Sequence, residues 1–157
     1  MAVHHLRSEI EIEAPPERVW GVLVDFASYP EWNPLVRSAA GVPQQGARLR
    51  IVVQPSGGKA MRFSPVVLVA EPGRELRWLG RFLFPGVFDG EHCFLIEPMG
   101  AGKVLFRQNE RFSGILVGLV RGSLDRDTRR GFEEMNQALK RRAEDAAPAH
   151  VPRPGLA

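Results

Sequence analysis

In residues 91–112, EHCFLIEPMGAGKVLFRQNERF, two runs of alternating apolar and polar residues flank the glycine-rich segment PMGAG. In a β-strand every second side chain lies on the same face of the sheet. A parallel crossover needs a dozen or more residues, so this short connection predicts two antiparallel strands. One face of the pair is mostly apolar and predicted to point inward: His92, Phe94, Ile96, Val104, Phe106, Gln108, Glu110 and Phe112.

Strand-like runs separated by short segments containing Gly and Pro continue back to residue 35 and predict a largely antiparallel sheet. A weakly alternating run at residues 3–12 adds a further strand, which makes about seven. The arginines of these runs fall consistently on the outer face, while Trp78 falls on the inner face. The remaining strands are predicted at residues 35–40, 47–54, 60–70, 75–82, 87–97 and 103–112.

Helices are predicted on either side of the strand region. APPERVWGVLVDF has prolines where a helix begins and an apolar face at helical spacing, so it predicts about 11 helical residues ending near Asp25. YPEWNP at residues 29–34 is either a distorted turn or a short second helix, because its prolines disfavour helix continuation. After Ser113, three-to-four spacing that includes Met135 and Leu139 predicts one long helix to about Asp145, which Gly122 would break or bend.

Together these elements predict an α+β fold in which a curved antiparallel sheet surrounds the long C-terminal helix, with space for a cavity between them. The 157 residues fit a single domain, predicted at residues 1–147, followed by a Pro-rich tail at 148–157 that we expect to be disordered. No run is long and apolar enough for a membrane span, and the N-terminus is too charged for a signal peptide. A cytoplasmic location is therefore expected.

Charge and cysteine content exclude several classes of function. Cys93 is the only cysteine, so an intrachain disulfide and a cysteine-rich zinc site are excluded. No metal site is expected at His4 and His5, because adjacent strand residues point to opposite faces. The net charge is +3, but the densest basic runs, at residues 126–130 and 140–142, are interleaved with acids. They indicate a solvated helix face, so no nucleic-acid partner is expected. The sequence has no phosphate loop or metal-ligand spacing, so no cofactor is expected either.

Three polar residues on the apolar face, His92, Gln108 and Glu110, are the most informative. If the last hairpin turns about Ala101, His92 lies opposite Glu110; if it turns about Gly100, His92 faces Gln108. The functional interpretation is a His–Glu pair that orients a ligand or moves a proton. The alternative is an internal hydrogen bond, or polar groups near an open end of the sheet. Glu110 could also pair with Arg111 or Arg121 if the strand twists near its end.

Several motifs of the sequence resemble those of a known family. VWGVLVDFASYPEWNP after an I-x-A-P-P start, ELRWLG, GEHCFLIEP, a strand ending in ERFSG and a closing amphipathic helix are similar to the START-like superfamily, nearest its polyketide cyclase/dehydrase and lipid-transport-like branch. The resemblance covers roughly residues 5–145. It implies a helix-grip fold: a seven-stranded sheet gripping the C-terminal helix, two short helices closing one end, and an apolar cavity. Tyr29 and Trp32 would line its entrance; alternatively, Trp32 plugs one end of the core.

Three functions follow as hypotheses. The first is a binding protein for a small apolar or aromatic molecule, lipid- or polyketide-like. The second is a cyclase or dehydratase in which His92 is the acid or base and Glu110 its partner. The third is an interaction module that uses the basic helix face, and the oligomeric state is left open. The residues predicted to contact the ligand are Tyr29, Trp32, Trp78, Phe94, Phe106, Gln108, Phe112 and Met135.

Overall fold

The computed structural model describes residues 2–82 and 84–145. The predicted tail at residues 148–157 lies outside them. Within these ranges the helices are α1 Pro16–Val24, α2 Tyr29–Trp32, α3 Val117–Ser123 and α4 Arg129–Asp145. The strands in the same ranges are β1 Val3–Ile12, β2 Val36–Ala40, β3 Arg50–Val53, β4 Met61–Phe63, β5 Val66–Glu71, β6 Glu75–Phe82, β7 Phe88–Pro98 and β8 Val104–Ser113.

The strands form two sheets rather than the single seven-stranded sheet that the sequence predicted. One has the order β1-β8-β7-β6-β5 and the other β2-β3-β4. The predicted strand at residues 60–70 is broken at Ser64 and Pro65, because proline has no N–H to donate to a ladder. The backbone still connects the sheets, since the amide of Leu49 donates to the carbonyl of Pro65 and the amide of Val67 to that of Ala47.

The last hairpin has the register centred on Ala101. His92 lies directly opposite Glu110, and Phe94 opposite Gln108. The hairpin is the centre of the larger sheet, because β8 also pairs with β1 along its whole length. Its inner face packs against α4, whose buried side chains include Phe132, Met135 and Leu139.

The C-terminal helical region is divided, whereas the sequence predicted one continuous helix. Between α3 and α4, Leu124–Thr128 forms a π-helical segment. In α3 the side chain of Val117 is buried, while that of Val120, part of the predicted stripe, is exposed. The extra residue per turn of a π segment shifts the phase of a helix, so a single three-to-four stripe does not continue through it.

Both predicted N-terminal helices are present, and YPEWNP contains the second. A turn of 3₁₀ helix, Phe26–Ser28, precedes α2. The rings of Phe26 and Tyr29 meet edge to face at 5.5 Å, and those of Tyr29 and Trp32 at 5.2 Å. No helix within the described ranges is long and apolar enough to cross a membrane.

Candidate functional site

The inner face of the large sheet has rows of side chains fixed by the strand register. One row crosses β6, β7, β8 and β1 as Trp78, His92, Glu110 and Leu6. The neighbouring row, nearer the turn that joins β6 and β7, is Gly80, Gly90, Phe112 and His4. The two glycines lie side by side, so neither of them contributes a side chain to this part of the inner face.

We call the area around these two residues the glycine recess: Gly80 and Gly90, bordered by Trp78, Phe112 and Glu110. Both glycines are half-buried, whereas the bordering side chains are buried. A Cβ atom at Gly80 would meet the carbonyl oxygen of Gly90 and Cβ of Pro65, both at 3.9 Å, which is ordinary van der Waals contact, so a small side chain fits there. A Cβ atom at Gly90 would lie 2.6 Å from Oε1 of Glu110, so this carboxyl group lies over Gly90.

His92 and Glu110 form a close buried pair beside the recess. Nδ1 of His92 is 2.5 Å from Oε2 of Glu110, and the two side chains are 8% and 10% exposed. The imidazole stacks on Phe94 with a centroid distance of 4.2 Å and meets Phe132 edge to face at 5.0 Å. Burying such a pair is costly unless its remaining polar atoms are also bonded.

A polar chain continues from the pair into the core. Nε2 of His92 is 2.9 Å from Oε1 of Gln108. The amide nitrogen of Gln108 donates to Oδ1 of Asn136 at 2.7 Å and to the carbonyl of Phe132 at 3.3 Å. Asn136 in turn donates to Oγ of Ser8 at 3.0 Å. Both nitrogens of His92 are therefore engaged, and the chain connects β1, β7 and β8 to α4.

The centre of the sheet–helix interior is closed. Phe94, Phe106, Gln108 and Met135 have 0% exposure, so their atoms border no space that a water molecule could enter. They are four of the residues predicted to contact a ligand, and here they pack against one another and the rest of the core. The structure brings the other predicted inner residues, Trp78, His92, Glu110 and Phe112, together at the recess.

Tyr29 and Trp32 lie near the opposite end of α4. The Tyr29 hydroxyl donates to the carbonyl of Leu23, and burial together with the charge of Asp25 raises its pKa well above the usual range. Trp32 is half-buried beside a groove of about 300 Å³ that Arg142 also lines. Phe132, which contacts His92, lies ten residues before Arg142 in α4. The His–Glu pair and the groove at Trp32 are therefore separated by about 15 Å of helix. The structure thus does not bring these two aromatics to the His–Glu pair.

The outer face of the sheet also has a groove, of about 680 Å³, but its chemistry is different. It is lined mainly by charged side chains, of which Arg77 pairs with Glu91 at 3.2 Å and Arg107 with Glu9 at 3.1 Å. Cys93 lies on this face; burial, with the nearby Glu75 carboxylate, raises the pKa of its thiol to about 11. An apolar ligand has no reason to prefer this groove to the recess.

Three basic side chains of the helix face, Arg130, Lys140 and Arg142, are paired with acids. Arg130 pairs with Glu134 at 3.0 Å, and Lys140 with Glu144 at 2.6 Å. Arg142 pairs with Glu31 on α2 at 3.3 Å. This arrangement is that of a solvated helix face, although the absence of a nucleic-acid partner stays a prediction.

Sequence reasoning missed Gly80, Gly90, Asn136 and Ser8. The two glycines occupy inner positions of alternating strands, and such a glycine often marks a close approach of another group. Asn136 falls directly after Met135 on the buried side of α4, and its polar amide is the partner that the buried Gln108 requires. Which glycines lie next to each other depends on the register of three strands, and alternation alone does not determine it.

An α+β helix-grip architecture with a polar pair on its inner face defines the class of protein. The family model described as "Polyketide cyclase / dehydrase and lipid transport" matches residues 3–144, and the chain belongs to this family. A search of curated proteins finds no match.

Solved structures agree in fold. The protein TTHA0849 from Thermus thermophilus is 22% identical, with a TM-score of 0.72 over 92% of this chain and 100% of that one. A START superfamily protein from Mycobacterium smegmatis is 20% identical, with a TM-score of 0.68 over 92% and 99%. The Zhui aromatase/cyclase from Streptomyces sp. R1128 is 20% identical, with a TM-score of 0.70 over 94% and 98%. At these identities the likeness concerns the fold.

Proposed function

We propose that this protein binds a small apolar or aromatic molecule in the glycine recess, beside the His92–Glu110 pair. The observation that carries the proposal is the adjacency of Gly80 and Gly90 on the inner face of the sheet. Gly80 leaves its part of the inner face without a side chain, and the Glu110 carboxyl group and the Phe112 ring lie over the neighbouring Gly90. Apolar walls with a few convergent polar groups are typical of small-molecule sites.

The recess is favoured over the centre of the interior for a physical reason. A ligand at Phe94 and Phe106 would have to displace close-packed side chains, which costs contacts on every side. At the recess a Cβ atom on Gly80 would meet nothing closer than 3.9 Å, and the neighbouring Phe88 is half-buried, so less packing is lost. The chain belongs to a family whose description includes lipid transport, and this supports an apolar ligand.

Filling the recess tests the proposal. Gly80→Val adds a side chain where a Cβ atom meets nothing closer than 3.9 Å, and valine suits a strand. We expect the variant to fold and to bind a fluorescent apolar probe at least tenfold more weakly, measured by titration of Trp emission. Ser38→Val, in β2 of the smaller sheet, is the matched control and keeps the affinity. Equal binding by wild type and Gly80→Val would place the ligand elsewhere.

A second candidate is a cyclase or dehydratase of a polyketide-like substrate. The observation that favours it is the 2.5 Å contact within a pair buried in apolar surroundings, because such a pair can accept a proton from carbon and return it to oxygen. The fold shared with an aromatase/cyclase supports this candidate. Glu110→Gln keeps the shape of the side chain, so it is expected to abolish turnover while leaving substrate binding within a few-fold.

A further inference from the structure

We propose that the recess selects an uncharged, planar apolar molecule whose polar group is a hydroxyl donor, a phenol or an enol, and that Oε1 of Glu110 accepts its hydrogen bond. His92 is then a positioning residue and does not touch the ligand. The inference rests on the proposed function and names the ligand class. It follows from three steps that locate the protons of the pair.

The first step fixes the proton on Nε2 of His92. The carbonyl of Phe132 can only accept, so the Gln108 atom that faces it is the NH₂ group. The other end of the Gln108 amide, its oxygen, therefore faces Nε2 of His92 at 2.9 Å. An amide oxygen has no hydrogen to give, so Nε2 carries one. Asn136, itself bonded to Ser8, holds the amide in this orientation.

The second step places one more proton in the pair. Two lone pairs facing each other at the 2.5 Å between Nδ1 and Oε2 would repel, so a proton lies between these atoms. If it is on nitrogen, the pair is an imidazolium and a carboxylate; if it is on oxygen, it is an imidazole and a carboxylic acid. In both cases the net charge of the pair is zero.

The third step concerns the oxygen that remains. Oε1 of Glu110 lies over Gly90, and Phe112 borders the same position. In either state of the pair Oε1 has lone pairs and no hydrogen, so it is an acceptor. A ligand group that meets it must be a donor. A carboxylate would be repelled by it, and an ether oxygen would leave it unbonded.

The walls of the recess complete the selection. Trp78 and Phe112 are aromatic, and Phe112 is in ring contact with Phe88 at 5.5 Å. Aromatic walls favour a planar ring system, which can pack over Gly80 beside the Glu110 carboxyl group that lies over Gly90. Because the pair is neutral, no charge on the ligand is compensated there, and burying one would be costly.

Three naphthalenes with the same ring body test the inference: 2-naphthol, 2-methoxynaphthalene and 2-naphthoate, each titrated by calorimetry into the full chain. We expect 2-naphthol to bind about tenfold more tightly than 2-methoxynaphthalene, the effect of one added hydrogen bond, and 2-naphthoate to bind most weakly. Equal affinities, or tightest binding of 2-naphthoate, would overturn the inference while the proposed function stands. If none binds to the folded protein, both fail.

Variants of the pair connect the preference to Oε1. Glu110→Leu removes the acceptor and should abolish the preference for 2-naphthol, whereas Glu110→Gln keeps an oxygen over Gly90 and should retain most of it. Gly90→Ala, whose Cβ atom would lie 2.6 Å from Oε1, should displace the carboxyl group and also reduce the preference. The control is Glu91→Leu on the outer face of the same strand. A preference that survives both Glu110→Leu and Gly90→Ala would show that another group binds the hydroxyl.

Discussion

The stability of the His92–Glu110 pair gives a quantitative prediction about the buried polar chain. His92→Leu leaves the Glu110 carboxyl group without its 2.5 Å partner and the oxygen of Gln108 without its donor. Removing one member of a buried ion pair costs about 3–5 kcal/mol. Glu110→Leu leaves an imidazole that can stay neutral, so the cost is that of one unpaired buried group, about 1–3 kcal/mol.

The double variant His92→Leu/Glu110→Leu should be less destabilised than the sum of the two single variants by at least about 2 kcal/mol, because neither partner is then left unpaired. Urea unfolding of the four proteins, followed by circular dichroism, measures this coupling energy. Glu75→Leu, on the outer face of β6, serves as a control for replacing a carboxylate in the same sheet. Additivity to within about 0.5 kcal/mol would mean that the two side chains do not interact, and would refute the assigned contact.

Three further predictions concern single groups. In nitrogen NMR of the folded protein, Nε2 of His92 is expected to be protonated at neutral pH; a deprotonated Nε2 would contradict the orientation assigned to its amide partner. Cys93, with a pKa of about 11, should react with thiol reagents about a hundredfold more slowly at pH 8 than a thiol with the ordinary pKa of 9.0. Glu75→Gln should increase this rate, because the Glu75 carboxylate raises the pKa of the thiol. A rate like that of free cysteine would be inconsistent with burial. Tyr29→Phe should lower the free energy of unfolding by about 1–3 kcal/mol, since the buried carbonyl of Leu23 loses its donor, and a neutral effect in thermal unfolding would show that water replaces the hydroxyl.

Much of the fold was predictable because strand alternation and short glycine turns determine which faces point inward. The predicted strand at residues 75–82 has the observed limits, and His92, Gln108 and Glu110 are buried on the inner face. Of the two registers left open for the last hairpin, the one about Ala101 is confirmed and the one about Gly100 is wrong. The backbone pairs His92 with Glu110, and the imidazole reaches diagonally to Gln108 through its other nitrogen.

The parts that could not be predicted depend on contacts between distant elements. Alternation places Phe94, Phe106 and Met135 inside, but it does not tell whether they line a cavity or fill it. The recess requires Gly80 and Gly90 to be neighbours across two strands, and a shift of one residue would separate them. The division of the sheet arises from Pro65, which has no N–H to donate. This matters only because the hydrogen-bond ladder between neighbouring strands would otherwise continue through that position.

Amide chemical shifts test whether the ligand binds in the glycine recess. Proton–nitrogen correlation spectra of the labelled protein during titration with 2-naphthol should show the largest saturable changes at Gly80, Gly90 and Phe112. The indole N–H signal of Trp32, at the far end of α4, should remain in place. Changes centred on Tyr29 and Trp32, with the two glycine signals unmoved, would contradict binding in the recess and would move the binding site to the opposite end of the molecule.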